Sequence, residues 1–179
     1  MSIDSTVPAY GLIDLRDRVL TGTLTFSWVR ISAALGMRVR DFDGTKIRVH
    51  EKGGLHRRLP ATALLQELLN CYINATDLRE FPDSPLFRST SGTWLMPEAL
   101  SSNAAWKMVK RRCRVADLPD DIYPHHFRGT GITEFMNNGD ALHEAQMMTG
   151  HANPSTIQCY DHSRKWISQN MFERVHIEI

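Results

Sequence analysis

Tyr123-Pro124-His125-His126-Phe127-Arg128 is followed by Thr149-Gly150-His151 and then by Cys159-Tyr160, an ordered set of histidines, an arginine and a tyrosine. Those residue types are what cutting a phosphodiester without a metal ion requires. A tyrosine hydroxyl can attack phosphorus and hold the product covalently, provided cationic donors sit on the phosphate oxygens and acid/base groups carry two proton transfers. Pro124 marks a helix start, so His125 and Arg128, three apart, share one face near a terminus that favours an anion. Gly150 suits the left-handed end of a helix over about 141–149, and Asn153-Pro154 suits the N-cap and first turn of the next. His151 then falls in a tight inter-helix turn and Tyr160 near the end of a short helix. Singly, each feature has an ordinary explanation, and HxxR recurs often by chance. Their joint order is what points to chemistry.

Outward from that segment, the chain reads as mainly α with a small antiparallel β-sheet. Residues 12–26 carry Leu12, Leu15, Val19, Leu20, Leu24 and Phe26 at near-helical spacing, and 30–35 continues as a short second helix. Asp43-Gly44 predicts a hairpin turn between the alternating runs 37–42 and 46–50, and Gly53-Gly54 turns the chain into a third strand over 55–59. An amphipathic helix follows over 61–75, with Leu64, Leu65, Leu68, Leu69, Tyr72 and Ile73 as its apolar positions. The stretch 77–97 holds three prolines and reads as an irregular connection, extended only around Leu86-Phe87. Helix returns over 101–116, with Trp106, Val109 and Cys113 inward, and a last amphipathic segment over 164–175 leaves Trp166, Ile167, Met171 and Phe172 in need of a surface.

With 179 residues, 42% of them apolar, the chain is long enough for one compact domain with a real core. No run approaches the roughly 18 apolar residues of a membrane span, and no secretory signal opens the chain, so a cytoplasmic, nucleoid-associated protein is expected. Cys71, Cys113 and Cys159 are odd in number and far apart, which argues for buried thiols over a disulfide framework or a cysteine-based metal site. A site built from His125, His126 and His151 lacks a suitably spaced carboxylate or cysteine, so neither metal nor cofactor is implied. The net charge of +1 permits a nucleic-acid partner without demanding one. Its distribution is more telling: Lys107, Lys110, Arg111, Arg112 and Arg114 crowd one segment, and Lys52, His56, Arg57 and Arg58 another. Arg57, Arg58, Lys107, Lys110 and Arg111 are the candidate DNA contacts.

The ordered residues resemble the catalytic domain of the tyrosine recombinases, the phage-integrase family. That pattern has an arginine early in a helix, a lysine in a β-hairpin, His-x-x-Arg, Gly-His, and a tyrosine nine residues after that histidine. Here Arg30-Ile31-Ser32 matches the first arginine segment, Glu51 to Pro60 the lysine hairpin, and His151 to Tyr160 spans nine. The resemblance covers about residues 12–165. It implies that Arg30 and Arg128 fork onto the non-bridging oxygens of the scissile phosphate. Tyr160 would attack in line to give a 3′-phosphotyrosyl intermediate, and Lys52 would protonate the leaving 5′-oxygen. His125 would handle the tyrosine proton and His151 would donate a hydrogen bond to the phosphate.

The activity so implied is site-specific recombination of double-stranded DNA, integrating or excising a mobile element. The single domain would comprise an extension (1–11), a core (12–163) and a C-terminal helix (164–179) that four protomers on DNA exchange, or that folds back on its own domain. On this resemblance the family's N-terminal core-binding domain, a helical DNA clamp, is expected to be absent. Three positions depart from the pattern. Ser27-Trp28-Val29 replaces a small turn ending in glycine and an apolar residue. Ala33 stands where an acidic residue orients the first arginine, and Gly129 where a histidine often follows the second. Trp28, Ala33 and the expected lack of the clamp keep open a catalytically impaired DNA-binding remnant, and the shared phosphotyrosine chemistry keeps open a type IB topoisomerase-like enzyme.

Overall fold

The computed structural model describes residues 11–51, 54–137 and Ala145. By internal contacts the chain divides into a unit ending at Gly131 and a second beginning at Ile132. Helix α1, Leu12–Ser27, buries Leu15, Val19, Leu20 and Leu24 along one stripe and packs against α3, Ala63–Ala75, which buries Leu65, Leu69, Tyr72 and Ile73. The Thr62 hydroxyl caps α3 by accepting from the Leu65 N–H at 3.3 Å. Between them lie the one-and-a-half-turn helix α2, Ile31–Leu35, and an antiparallel hairpin of β1, Lys46–Glu51, and β2, Leu55–Pro60. Strand β1 alternates strictly: Ile47, Val49 and Glu51 point inward, and Lys46, Arg48 and His50 outward. A carboxylate therefore occupies a core-facing register position.

Helix α4, Ser102–Val115, is capped by the Ser101 hydroxyl and buries Ala105, Met108, Val109 and Cys113 at helical spacing. An ionic network ties α4 to α1. Asp17, 1% exposed, accepts from Arg16 at 2.6 and 2.9 Å on one oxygen and from Arg111 (2.8 Å) and Arg112 (2.8 and 3.0 Å) on the other. Helix α5, Pro124–Asn137, starts with proline at its first turn, and His126 Nδ1 accepts the Tyr123 N–H at 3.2 Å. That bond makes His126 a capping residue.

Five local expectations are corrected. The run 37–42 is not a strand of the hairpin; Val39–Asp41 is a 3₁₀ turn, because the Asp41 carboxylate takes the Arg38 N–H at 2.8 Å. The flanking backbone groups pair instead with Pro82, Ser84 and Leu86. The supposedly irregular stretch contains a second hairpin, β3 (Arg88–Ser91) and β4 (Trp94–Ala99), turning at Gly92 with φ +57°. Trp106 is exposed on α4, with Lys110 5.2 Å above its ring, and Leu64 is exposed on α3. Cys71 is exposed, while Cys113 is buried as expected. Among the described residues no helix is long and apolar enough to cross a membrane.

Candidate active site

The site is built around the connection from α1 to α2. Trp28 ends α1 in the left-handed region (φ +51°, ψ +28°), a conformation that costs a bulky residue energy and that glycine adopts freely. This explains why a glycine-bearing turn precedes the first arginine in the family pattern. Trp28 is held there by burial, 6% exposed, and its indole lies against Gly131 on α5. A Cβ on Gly131 would sit 2.6 Å from the indole Cδ1 and 2.8 Å from the Thr25 carbonyl oxygen. The turn also sends its Trp28 carbonyl to Arg128, whose Nη1 donates to it, and Arg128 is buried to 1% exposure. A helix C-terminus is the negative end of the dipole, so a guanidinium is well placed there.

Arg30 occupies the N-cap position of α2 in extended conformation. Its Nη1 donates to Oε2 of Glu51, while 38% of its side chain stays open to solvent. The other Glu51 oxygen, Oε1, accepts from Arg57 Nη1 at 3.0 Å. Glu51 is 1% exposed and Arg57 9%. Two guanidinia thus share one buried carboxylate, leaving a surplus of positive charge at the Arg30 edge. His125, one helical turn before Arg128, keeps an edge exposed. Packing around its ring lowers its pKa first, and the charges of Arg128, Arg30 and His126 lower it further. Both arginines therefore act electrostatically on the same imidazole, and near neutral pH that imidazole is uncharged and able to accept a proton.

Three of the six expected catalytic residues, Arg30, His125 and Arg128, are brought together. Lys52, His151 and Tyr160 lie outside the described residues. Of the expected DNA contacts, Arg57 is committed to Glu51, Arg58 pairs with Asp43, Arg111 is held by Asp17, and Lys110 donates to the Asp120 carbonyl. Lys107 is exposed on α4. Glu51 is the site residue that motif matching passes over. The β1 alternation signals it, since Ile47 and Val49 inward place Glu51 inward too.

Such a group of fixed guanidinia beside a neutral imidazole suits an oxyanion of phosphate on which charge develops, the arrangement of phosphoryl-transfer catalysts that work by side chains. Residues 5–166 match the phage integrase family. Tyrosine recombinase XerC of Rhodospirillum centenum is 31% identical over 158 residues, covering 87% of this chain and 45% of that protein. Tyrosine recombinase XerD of Staphylococcus saprophyticus is 28% identical over 166 residues, covering 90% and 55%. The crystal structure of XerA recombinase superposes with a TM-score of 0.71 at 22% identity, over 93% of this chain and 63% of that one. That of the XerH site-specific recombinase on its palindromic difH substrate, after cleavage, gives 0.68 at 24%, over 94% and 49%. The fold is that of a tyrosine recombinase catalytic domain. The chain belongs to the phage integrase family, and it spans about half the length of the curated relatives it matches.

Proposed function

We propose that this chain is the catalytic part of a site-specific DNA recombinase that cleaves and rejoins double-stranded DNA of a mobile element through a 3′-phosphotyrosyl intermediate. The observation that carries the reading is the convergence of Arg30, Arg128 and an uncharged His125, together with Lys52, His151 and Tyr160 at the family's spacing. In the reaction the Tyr160 oxygen forms a bond to phosphorus as the bond to the 5′-oxygen breaks. The tyrosine proton passes to His125, and Lys52 gives a proton to the departing oxygen. Arg30 and Arg128 offset the negative charge growing on the non-bridging oxygens, and the retained phosphodiester energy lets a second 5′-hydroxyl reverse the step without ATP. Four protomers would assemble on two DNA sites in the cytoplasm, with residues 164–179 exchanged between neighbours.

The departures at Trp28 and Ala33 each have a physical counterpart. The glycine-like turn is kept by Trp28 over Gly131, and Arg30 has a carboxylate partner in Glu51. The test uses nicked suicide duplexes tiled across the DNA flanking the gene, incubated with the full chain and resolved in SDS. A protein–DNA adduct that Tyr160→Phe abolishes while DNA binding persists is the expected result. DNA binding with no adduct on any duplex would overturn the reading in favour of a silent remnant.

A further inference from the structure

Glu51 stands beside the catalytic lysine position, yet no family role attaches to it. Ala33, where the pattern places an orienting acid, is a buried methyl group that can hold nothing. From the geometry we infer that Glu51 is the positioning residue for Arg30: a carboxylate supplied by the lysine-bearing hairpin does here what an acid on α2 does in the pattern. This rests on the proposed strand-transfer reading.

A simple structural ion pair would not need this layout. Arg57, on the same hairpin and 9% exposed, already balances the buried carboxylate. The second oxygen is spent on Arg30, which comes from a different element and is 38% exposed. One Arg30 nitrogen is thereby anchored inside while the solvent-facing part of the same planar guanidinium stays available for a phosphate oxygen. Anchoring through a buried acceptor removes rotamer freedom before substrate arrives, and misplacement of a charge-stabilising group by about 1 Å can cost on the order of 100-fold in rate. Glu51 also immediately precedes Lys52. The contact therefore links the phosphate-binding arginine to the strand that leads into the general acid.

The experiment compares the wild-type chain, Glu51→Gln, Arg57→Met and the double variant Glu51→Gln/Arg57→Met. The double variant removes the carboxylate together with the buried guanidinium it balances, so it covers the case in which Glu51→Gln fails to fold. At saturating duplex, adduct formation should fall about 10- to 100-fold in Glu51→Gln relative to wild type, and by a similar factor in the double variant relative to Arg57→Met. On a duplex with a methylphosphonate at the scissile position, which deletes one oxygen charge, the Glu51→Gln deficit should shrink, whereas a merely structural defect would persist. In parallel, NMR of the DNA-free chain should show faster solvent exchange of the Arg30 Nε–H in the Glu51 variants, with backbone amides otherwise unmoved. Wild-type adduct with an unimpaired Glu51→Gln, or an Arg30 Nε–H indifferent to Glu51, would overturn the inference. The exchange measurement decides it even if no duplex yields adduct, in which case the strand-transfer reading fails separately.

Discussion

The Trp28–Gly131 contact predicts a non-additive pair of substitutions. In the wild-type background Gly131→Ala brings a Cβ to 2.8 Å from the Thr25 carbonyl oxygen and 2.6 Å from Trp28 Cδ1, both too close to keep. The helix gains up to about 1 kcal/mol on replacing glycine, but overpacking against backbone and a buried ring costs about 1–3 kcal/mol, so net destabilisation of about 1–2 kcal/mol is expected. Trp28→Gly removes left-handed strain worth about 1–2 kcal/mol and forfeits a buried aromatic worth about 3–5 kcal/mol, for a net loss of about 2–3 kcal/mol. With the indole gone, only the Thr25 contact opposes Gly131→Ala, and the helix gain cancels it. The double variant should then be no less stable than Trp28→Gly alone, a coupling of about 1–2 kcal/mol measured by equilibrium urea unfolding of the four proteins. Additivity within about 0.5 kcal/mol would refute the packing argument.

Three further outcomes are expected. Asp17→Asn should destabilise the chain by about 3 kcal/mol in urea unfolding, the low end for a broken buried pair because Arg111 and Arg112 are partly solvated; a loss under about 1 kcal/mol would show that the network is idle. His125 should titrate below its ordinary value of 6.5 by NMR, and Arg30→Met should move it upward; a midpoint at or above 6.5 in the wild type refutes the shared-field picture. Since the unfolded chain takes up that proton first as pH falls, this group's contribution is intact above 6.5 and erodes below it, and the acid limb of adduct formation should lie below 6.5 as well. Burial pushes the Tyr72 phenol up to about 12 against the lowering effect of the Arg88 backbone, and the hydroxyl makes no hydrogen bond of good geometry among the described residues. Tyr72→Phe should therefore be neutral or stabilising by up to about 1 kcal/mol in thermal unfolding, and a clear loss would reveal a partner.

The helices α1, α3 and α4 are legible in the sequence because each carries an apolar stripe at 3.6-residue spacing that the core completes. The second hairpin is not, since β3 reads Arg88-Ser89-Thr90-Ser91 with no apolar alternation and β4 holds Pro97; pairing across Gly92 forms it. The run 37–42 alternates like a strand, but Asp41 closes a local turn that outcompetes the ladder. At the site, Arg30, His125 and Arg128 are recognisable because order along the chain identifies them. Glu51 is hidden by the same habit, as a residue beside a motif lysine draws no notice until the inward register of Ile47 and Val49 is carried one step further. The basic clusters are legible only in part for a related reason: sequence shows the arginines but not the acids that engage Arg57, Arg58 and Arg111.

The two guanidinia of the site are fixed to different degrees, and the difference follows from what holds them. Arg128, 1% exposed, is anchored to the main-chain carbonyl of Trp28, an acceptor that side-chain change cannot delete. Arg30, 38% exposed, depends on one carboxylate of another element. Arg128 is thus set by the backbone of a strained turn, and Arg30 by a side chain that evolution can move from α2 to β1 without altering the turn. The three-residue step from Trp28 to Arg30 is where both anchors meet, so distortion there should disturb both guanidinia together, whereas loss of Glu51 should release Arg30 alone.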